Sequence, residues 1–328
     1  MAETPLIFST HSLHPEVSQA LAKLGTLKVA SAPTPEAISA ESVGANIIIV
    51  RAPIPAEIVT REQGLMAAVR HGAGLDMIPM EDCTKAGVMV TNVRGANAVT
   101  VAEHAIWSAM SLLRKNPMVT RDLHAGGWEH GRRHSATGRE ISGRTLGILG
   151  FGNIGTTLSN MAQNGFGMSV ISHTRSPDKL PETVEAVSLP DLLKRSDILV
   201  LSCPLTEQTR GLIGKDAIRS MKQGAILVNV ARGPVVDEDA LIEALKSGHL
   251  GGASIDVFAQ QPLPIDHPFM ALGNVVLTPH MAGITEESML RLGQKVTEIT
   301  AQILAGETPD NLCNPEVLPA YKARFPAP

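Results

Sequence analysis

Three strand-like segments of this 328-residue chain end in residues that can handle a carboxylate and a proton. Asn229-Val-Ala-Arg-Gly233 offers Arg232. Ile255-Asp-Val-Phe-Ala-Gln-Gln-Pro262 offers Asp256 and Gln261, and Leu277-Thr-Pro-His280 offers His280. An arginine presents a planar fork of donors that matches a carboxylate. A histidine exchanges a proton near neutral pH. A side-chain amide can hold the histidine without bringing charge. The set suits a carbonyl substrate that also bears a carboxylate.

A second kind of site lies upstream. Thr145-Leu-Gly-Ile-Leu-Gly-Phe-Gly-Asn-Ile-Gly155 runs from an apolar strand into Gly150-x-Gly152-x-x-Gly155, and a helix is predicted over Thr156 to Gln163. In a strand–turn–helix context these glycines allow a tight turn, a close approach to a pyrophosphate and close helix packing. Asn153 and Ile154 lie between the second and third glycines, and the N-terminus of the helix that follows favours phosphate. The next strand ends Ser172-His-Thr-Arg-Ser176, with Arg175 twenty residues beyond Gly155 and no acid before Asp178. An acid here would hold a free ribose hydroxyl, whereas an arginine accommodates a 2′-phosphate. NADP is therefore expected over NAD, with Thr174, Arg175 and Ser176 around the phosphate.

The elements that position these residues read as alternating strands and helices. Strands are predicted at Leu6–Ser9, Leu27–Ala30, Ile47–Val50, Ala67–His71 and Val88–Thr91, with helices such as Pro15–Lys23 and Pro55–Arg61 between them. A second series has strands at Leu146–Gly150, Ser169–Ser172, Ile198–Ser202, Ala225–Asn229, Gly252–Val257 and Val275–Thr278. Its helices include Leu189–Arg195, Lys215–Ser220 and Glu238–Ser247. Mostly apolar strands suit parallel sheets buried on both faces. Long helices at Ala98–Lys115 and Thr285–Leu304 flank this series, and Ala125–Arg144 is the least regular stretch. The expectation is an α/β protein with two doubly wound parallel-sheet domains. Residues 99–294 form a Rossmann-type dinucleotide-binding domain inserted into a flavodoxin-like substrate domain of residues 1–98 and 295–328.

Composition narrows the class. A formal net charge of -4 implies no broad nucleic-acid or anionic-membrane surface. Aromatics at 3% leave the cores to aliphatic residues and methionine. Cys83, Cys203 and Cys313 are far apart with no CxxC spacing, which points to a reducing cytoplasm rather than a disulfide framework. The N-terminus lacks the pattern of a signal peptide, and runs such as Asn46–Val50 are too short to span a bilayer. No metal site is expected.

With these motifs in place the chain resembles the D-isomer-specific 2-hydroxyacid dehydrogenases, the family of phosphoglycerate, glyoxylate/hydroxypyruvate and D-lactate dehydrogenases. The resemblance runs from Val69-Arg-His-Gly-Ala-Gly-Leu-Asp76 to Asn311-Leu-Cys-Asn-Pro315. It includes Val101-Ala-Glu-His104, Pro204-Leu-Thr206, Val230-Ala-Arg-Gly-Pro234 and Thr278-Pro-His280. It implies reversible reduction of a small 2-oxo acid to a D-2-hydroxy acid, an active site in the cleft between two domains, and a homodimer. Arg232 would hold the carboxylate, and His280 would protonate the carbonyl oxygen as hydride arrives. Further cofactor contacts are implied at Cys203, Pro204, Thr209, Val230, Ala231, Asp256, Ala282 and Gly283.

Two positions depart from the family. Its catalytic glutamate falls at Gln261, a neutral residue shared with the distantly related formate dehydrogenases. Gln261 can orient His280 but cannot favour imidazolium by charge. Arg175 replaces the usual aspartate, as in NADP-preferring glyoxylate and hydroxyphenylpyruvate reductases. In the first domain Arg51, Arg70, His71 and Arg94 each read as ordinary surface charge, although as a group they could line the substrate mouth. Gly72, Ala73 and Gly74 form a glycine loop whose N–H groups could meet a carboxylate. Asp256 reads as a cofactor contact or a turn residue, and Glu103 with His104 as a helix-packing pair. Trp128, Arg132, Arg133 and His134 read as a solvated loop or a substrate contact. Three alternatives remain: an NAD-dependent phosphoglycerate-like dehydrogenase, a nucleotide-sensing regulator of the same fold and, as the minor one, a formate dehydrogenase.

Overall fold

The computed structural model describes residues 4–326. The chain forms two compact units, Met1–Asn97 with Ile284–Pro328, and Ala98–Gly283.

The first unit is built on five parallel strands: β1 Leu6–Ser9, β2 Thr26–Val29, β3 Ile47–Val50, β4 Ala67–Arg70 and β5 Met89–Asn92. They lie in the order β2-β1-β3-β4-β5, the flavodoxin-like arrangement. The central strand β3 is Ile-Ile-Ile-Val with every residue fully buried, as expected when helices cover both faces. The helix Glu286–Leu304 belongs to this unit along its whole length, starting at a Thr285–Ser288 capping box. Leu292, Val296, Ile299 and Ile303 pack from it onto the sheet core with Ile7, Ile47 and Val69. Leu292 lies before residue 295, where the sequence pattern suggested the return to this domain. The return therefore begins at Ile284, because a single amphipathic face runs the length of the helix. The last segment then closes the sheet. Cys313 N donates to Val90 O at 2.7 Å, Val90 N donates to Asn314 Oδ1 at 2.8 Å, and Thr91 and Leu312 form an antiparallel bridge.

The second unit carries seven parallel strands: β6 Thr145–Leu149, β7 Ser169–His173, β8 Val184–Ala186, β9 Ile198–Leu201, β10 Ile226–Asn229, β11 Gly252–Ile255 and β12 Val275–Leu277. Their order, β12-β11-β10-β9-β6-β7-β8, reverses direction between β6 and β9. That reversal is the switch point at which doubly wound sheets take ligands. The strand β8 was not anticipated, since Val-Glu-Ala at a sheet edge carries almost no apolar signal. The helix after the glycine motif spans Asn153–Phe166, longer at both ends than predicted.

The stretch expected to be irregular is also more ordered than its composition suggests. Helices Asn116–Gly126 and Trp128–Arg132 pack as a hairpin. Asp122, only 7% exposed, accepts from Arg121 Nε at 2.9 Å, Arg133 Nη2 at 2.5 Å and His134 Nε2 at 2.7 Å. These donors hold its carboxyl far below the usual carboxylate range, Arg121 contributing most. Arg133 and His134 are thus committed to structure. Trp128 stands 68% exposed. Among the described residues no helix is long and apolar enough to cross a membrane.

Candidate active site

The dinucleotide cradle sits at the switch point of the second unit. Gly150 has φ +87°, and a Cβ there would lie 2.7 Å from Cys203 Cα, so only glycine lets the β6 and β9 loops meet. Ser202 Oγ donates to Gly150 O at 2.8 Å and joins the same loops. A Cβ at Gly152 would meet nothing within 4 Å. Gly152 also caps the helix Asn153–Phe166 without a side-chain hydrogen bond. Open space in front of an uncapped helix N-terminus fits a dinucleotide pyrophosphate. At the end of β7, Thr174 and Ser176 are half-buried and Arg175 is exposed. Cys203 is buried, which pushes its thiol pKa up and keeps it out of nucleophilic chemistry. Thr209 closes its own loop, donating to Pro204 O at 2.7 Å and accepting from Thr206 N at 2.7 Å.

Arg232 follows β10 on a turn shaped by Asn229, which is 1% exposed. Asn229 Oδ1 accepts from Ala231 N at 3.0 Å, and its Nδ2 donates to Arg232 O at 3.1 Å. Arg232 Nη1 donates to Ala231 O at 2.8 Å, which fixes one side of the guanidinium fork. A Cβ at Gly233 would lie 2.0 Å from the Phe258 carbonyl carbon. Glycine there lets the Arg232 turn pack directly on the segment leading to Gln261.

That segment and the loop after β12 meet at His280. Its Nδ1 lies 3.0 Å from Gln261 Oε1. An amide oxygen only accepts, so Nδ1 carries a hydrogen and Nε2 is the nitrogen whose protonation can change. The backbone of His280 is left-handed, with φ +54°, an unfavourable state for a non-glycine residue. Asp256, 2% exposed, holds it there. Asp256 Oδ1 accepts from Thr278 Oγ1 at 2.6 Å and Met281 N at 2.8 Å, Oδ2 accepts from Ala282 N at 3.0 Å, and its carbonyl accepts from His280 N at 2.8 Å. Asp256 therefore has a turn-holding role, and it takes up the Ala282 amide.

In the first unit Arg51, Arg70 and His71 are not surface charges, whereas Arg94 is exposed and donates from Nε to Asn92 Oδ1 at 3.2 Å. Arg70 gathers three carbonyls, donating from Nε to Gly74 O at 2.9 Å and from Nη1 to Val50 O at 2.9 Å and His71 O at 3.0 Å. His71 is 4% exposed, and its pKa is pushed down to about 3, first by burial and then by Arg51. Arg51 is half-buried, donates from Nη1 to Ser12 O and points Nη2 at Met289 Sδ, 3.8 Å away. Gly72 was expected to offer its N–H outward, but that N–H donates to Arg70 O at 2.9 Å. Asn92 Nδ2 holds Ala73 O at 2.7 Å. The N–H groups of exposed Ala73 and half-buried Gly74 are the ones this loop has to offer.

The structure thus brings Gln261 and His280 together on ties from Asp256, and sets Arg232 on the neighbouring turn. Sequence reasoning missed Asn229, next to Val230, and Thr278, two residues before His280. A polar side chain at the end of an apolar strand or just past it was the available signal.

The sequence model described as D-isomer specific 2-hydroxyacid dehydrogenase, NAD binding domain, matches residues 106–282. A D-3-phosphoglycerate dehydrogenase of Methanocaldococcus jannaschii is 35% identical over 322 residues, which cover 96% of this chain but only 60% of that protein's length. A glyoxylate reductase of Korarchaeum cryptofilum is 40% identical over 270 residues, covering 81% of each chain. Among solved structures, an acyclic imino acid reductase in complex with NADPH and D-Arg superposes with a TM-score of 0.83 at 27% identity, covering 94% of this chain and 99% of that one.

Proposed function

Because the chain belongs to the D-isomer-specific 2-hydroxyacid dehydrogenase family, we propose that it interconverts a small 2-oxo acid and its D-2-hydroxy acid, with NADPH preferred over NADH. Glyoxylate and hydroxypyruvate are the favoured kinds of substrate. The observation that carries this reading is His280, held at Nδ1 by Gln261 so that proton exchange falls to Nε2, with Arg232 on the neighbouring turn. Gly150, Gly152, Asn153, Ile154 and Gly155 would hold the pyrophosphate, and exposed Arg175 with Thr174 and Ser176 the 2′-phosphate.

The nicotinamide, when bound, supplies the hydride. Arg232, which donates from Nη1 to Ala231 O, would hold the substrate carboxylate, and the Ala73 and Gly74 amides of the first unit suit an anion. Arg51 contributes positive charge on the same side of the first unit. Protonated His280 delivers its Nε2 hydrogen to the carbonyl oxygen in reduction and takes it back in oxidation. Gln261 Oε1 accepts from Nδ1 in both states, so the ring keeps its orientation through the cycle.

A homodimer in the cytoplasm is part of the same reading. Trp107, Met110, Leu123 and Trp128 are large apolar side chains exposed on the helices between residues 98 and 132, and they support a partner surface. The test is kcat/KM for glyoxylate, hydroxypyruvate and pyruvate with each cofactor, in wild type and Arg175→Ala. NADPH turnover at least tenfold better than NADH, narrowed by Arg175→Ala, is the expected result. Tight NADPH binding without turnover of any 2-oxo acid would instead mark a nucleotide sensor.

A further inference from the structure

His104 projects from the middle of the helix Ala98–Leu113, and its Nε2 lies 3.4 Å from Thr278 Oγ1. Thr278 has one hydroxyl hydrogen. The Asp256 carboxylate can only accept, so that hydrogen points to Asp256 Oδ1 across 2.6 Å. The remaining capacity of Thr278 Oγ1 is as an acceptor. His104 must therefore donate, which fixes the hydrogen on Nε2. The ring is set by Trp107, whose centroid is 5.4 Å away at an interplanar angle of 59°. The result is a directed chain of hydrogen bonds from His104 through Thr278 to Asp256, the carboxylate that takes the Met281 and Ala282 amides. Hydrogen bonds aligned in this way polarise one another.

We propose that His104 is a positioning residue for proton transfer: through Thr278 it fixes the Asp256 carboxylate that holds His280 in its left-handed backbone. This rests on the reading of His280 as the proton donor. His104 touches neither substrate nor the reacting atoms in this scheme. It sets the angle from which His280 Nε2 is presented, and acts on turnover rather than on cofactor capture. Burial disfavours the charged ring while Asp256 opposes that effect, so neutral His104 donates a single hydrogen from Nε2 at neutral pH.

The test uses His104→Leu, His104→Gln, Thr278→Val and the double variant His104→Leu/Thr278→Val. We expect His104→Leu and Thr278→Val each to lower kcat for 2-oxo acid reduction at least tenfold, with the Kd for NADPH within twofold of wild type. His104→Gln keeps a donor and should recover most of the loss. The double variant should be no slower than the slower single variant, because both break one chain. Should His104→Leu fail to fold, the near-isosteric Thr278→Val carries the measurement. A second readout needs no substrate. In a Trp128→Phe background, Trp107 is the sole tryptophan. Its emission should fall as His104 charges in acid, and Asp256→Asn should move that transition to lower pH. Wild-type kcat in folded His104→Leu, additive losses in the double variant, or a Trp107 transition indifferent to Asp256→Asn would overturn the inference. A wild-type protein that turns over no 2-oxo acid would refute the functional reading instead, while the Trp107 titration would still report on the hydrogen-bond chain.

Discussion

Each unit ends a β-strand in a tight loop tied by one charged side chain, and the two ties have opposite sign. In the first unit a cation, Arg70, gathers the carbonyls of Val50, His71 and Gly74. In the second an anion, Asp256, gathers the Met281 and Ala282 amides and the Thr278 hydroxyl. A loop whose carbonyls are drawn inward has N–H groups to present, here those of Ala73 and Gly74, and it suits an anion. A loop whose N–H groups are drawn inward presents a side chain instead, here His280. The sign of the tying charge decides whether backbone or side chain faces the ligand.

The largest break in this comparison is expected from Asp256→Asn. An amide cannot accept from all three donors as the carboxylate does, and charge-assisted bonds to buried groups are worth ~1.5–3 kcal/mol each. We expect kcat to fall by roughly two orders of magnitude, with a lower Tm by calorimetry. A variant with wild-type kcat would show that His280 holds its backbone without the anion.

The cationic loop makes a prediction about acid stability. His71 in the folded protein has a pKa of about 3, below its ordinary value of 6.5. The unfolded chain therefore takes up this proton first as pH falls. Stability is retained above about pH 6.5 and lost below it, by about 1.4 kcal/mol per pH unit until the folded pKa is reached. Urea unfolding at pH 7 and pH 5 should show roughly 2 kcal/mol more loss in wild type than in His71→Asn. Equal losses would remove His71 from the balance.

Loosening the same loop with Arg70→Met should raise KM for the 2-oxo acid about tenfold, equivalent to ~1.4 kcal/mol, while KM for NADPH stays put. Parallel changes in both constants would point to general damage. The smallest effect is expected from Gln261→Glu, which puts a carboxylate 3.0 Å from His280 Nδ1 and favours imidazolium. Reduction needs protonated His280, so the alkaline fall of kcat/KM should move to higher pH by roughly half a unit to one unit. An unmoved limb would show that another group sets it.

The motifs proposed to touch ligand were legible in the sequence because they follow strands with strong apolar patterns, as Gly150, Arg232 and His280 do. What was not legible depends on partners far apart in the chain. Arg70 looked like surface charge, since Val50 lies twenty residues away. Asp256 could be read as a cofactor contact or a turn residue, and only the positions of Thr278, Met281 and Ala282 reveal its part in the turn. Asp122 gave no sign that it would organise the helices around it, because its partners Arg133 and His134 read equally well as a solvated loop. The edge strand Val184–Ala186 is too short and polar to announce itself.

The return of residues 312–314 to the edge of β5 bears on how the chain folds during synthesis. Val90 cannot gain its partners Cys313 and Asn314 until more than two hundred further residues have been made. The strands β6 to β12 all lie within that interval. Loop closure over so long a span is slow unless the intervening chain has already become compact. The order of synthesis and the order of completion are therefore reversed: the unit that starts first is finished last, after the segment inserted into its chain has become compact.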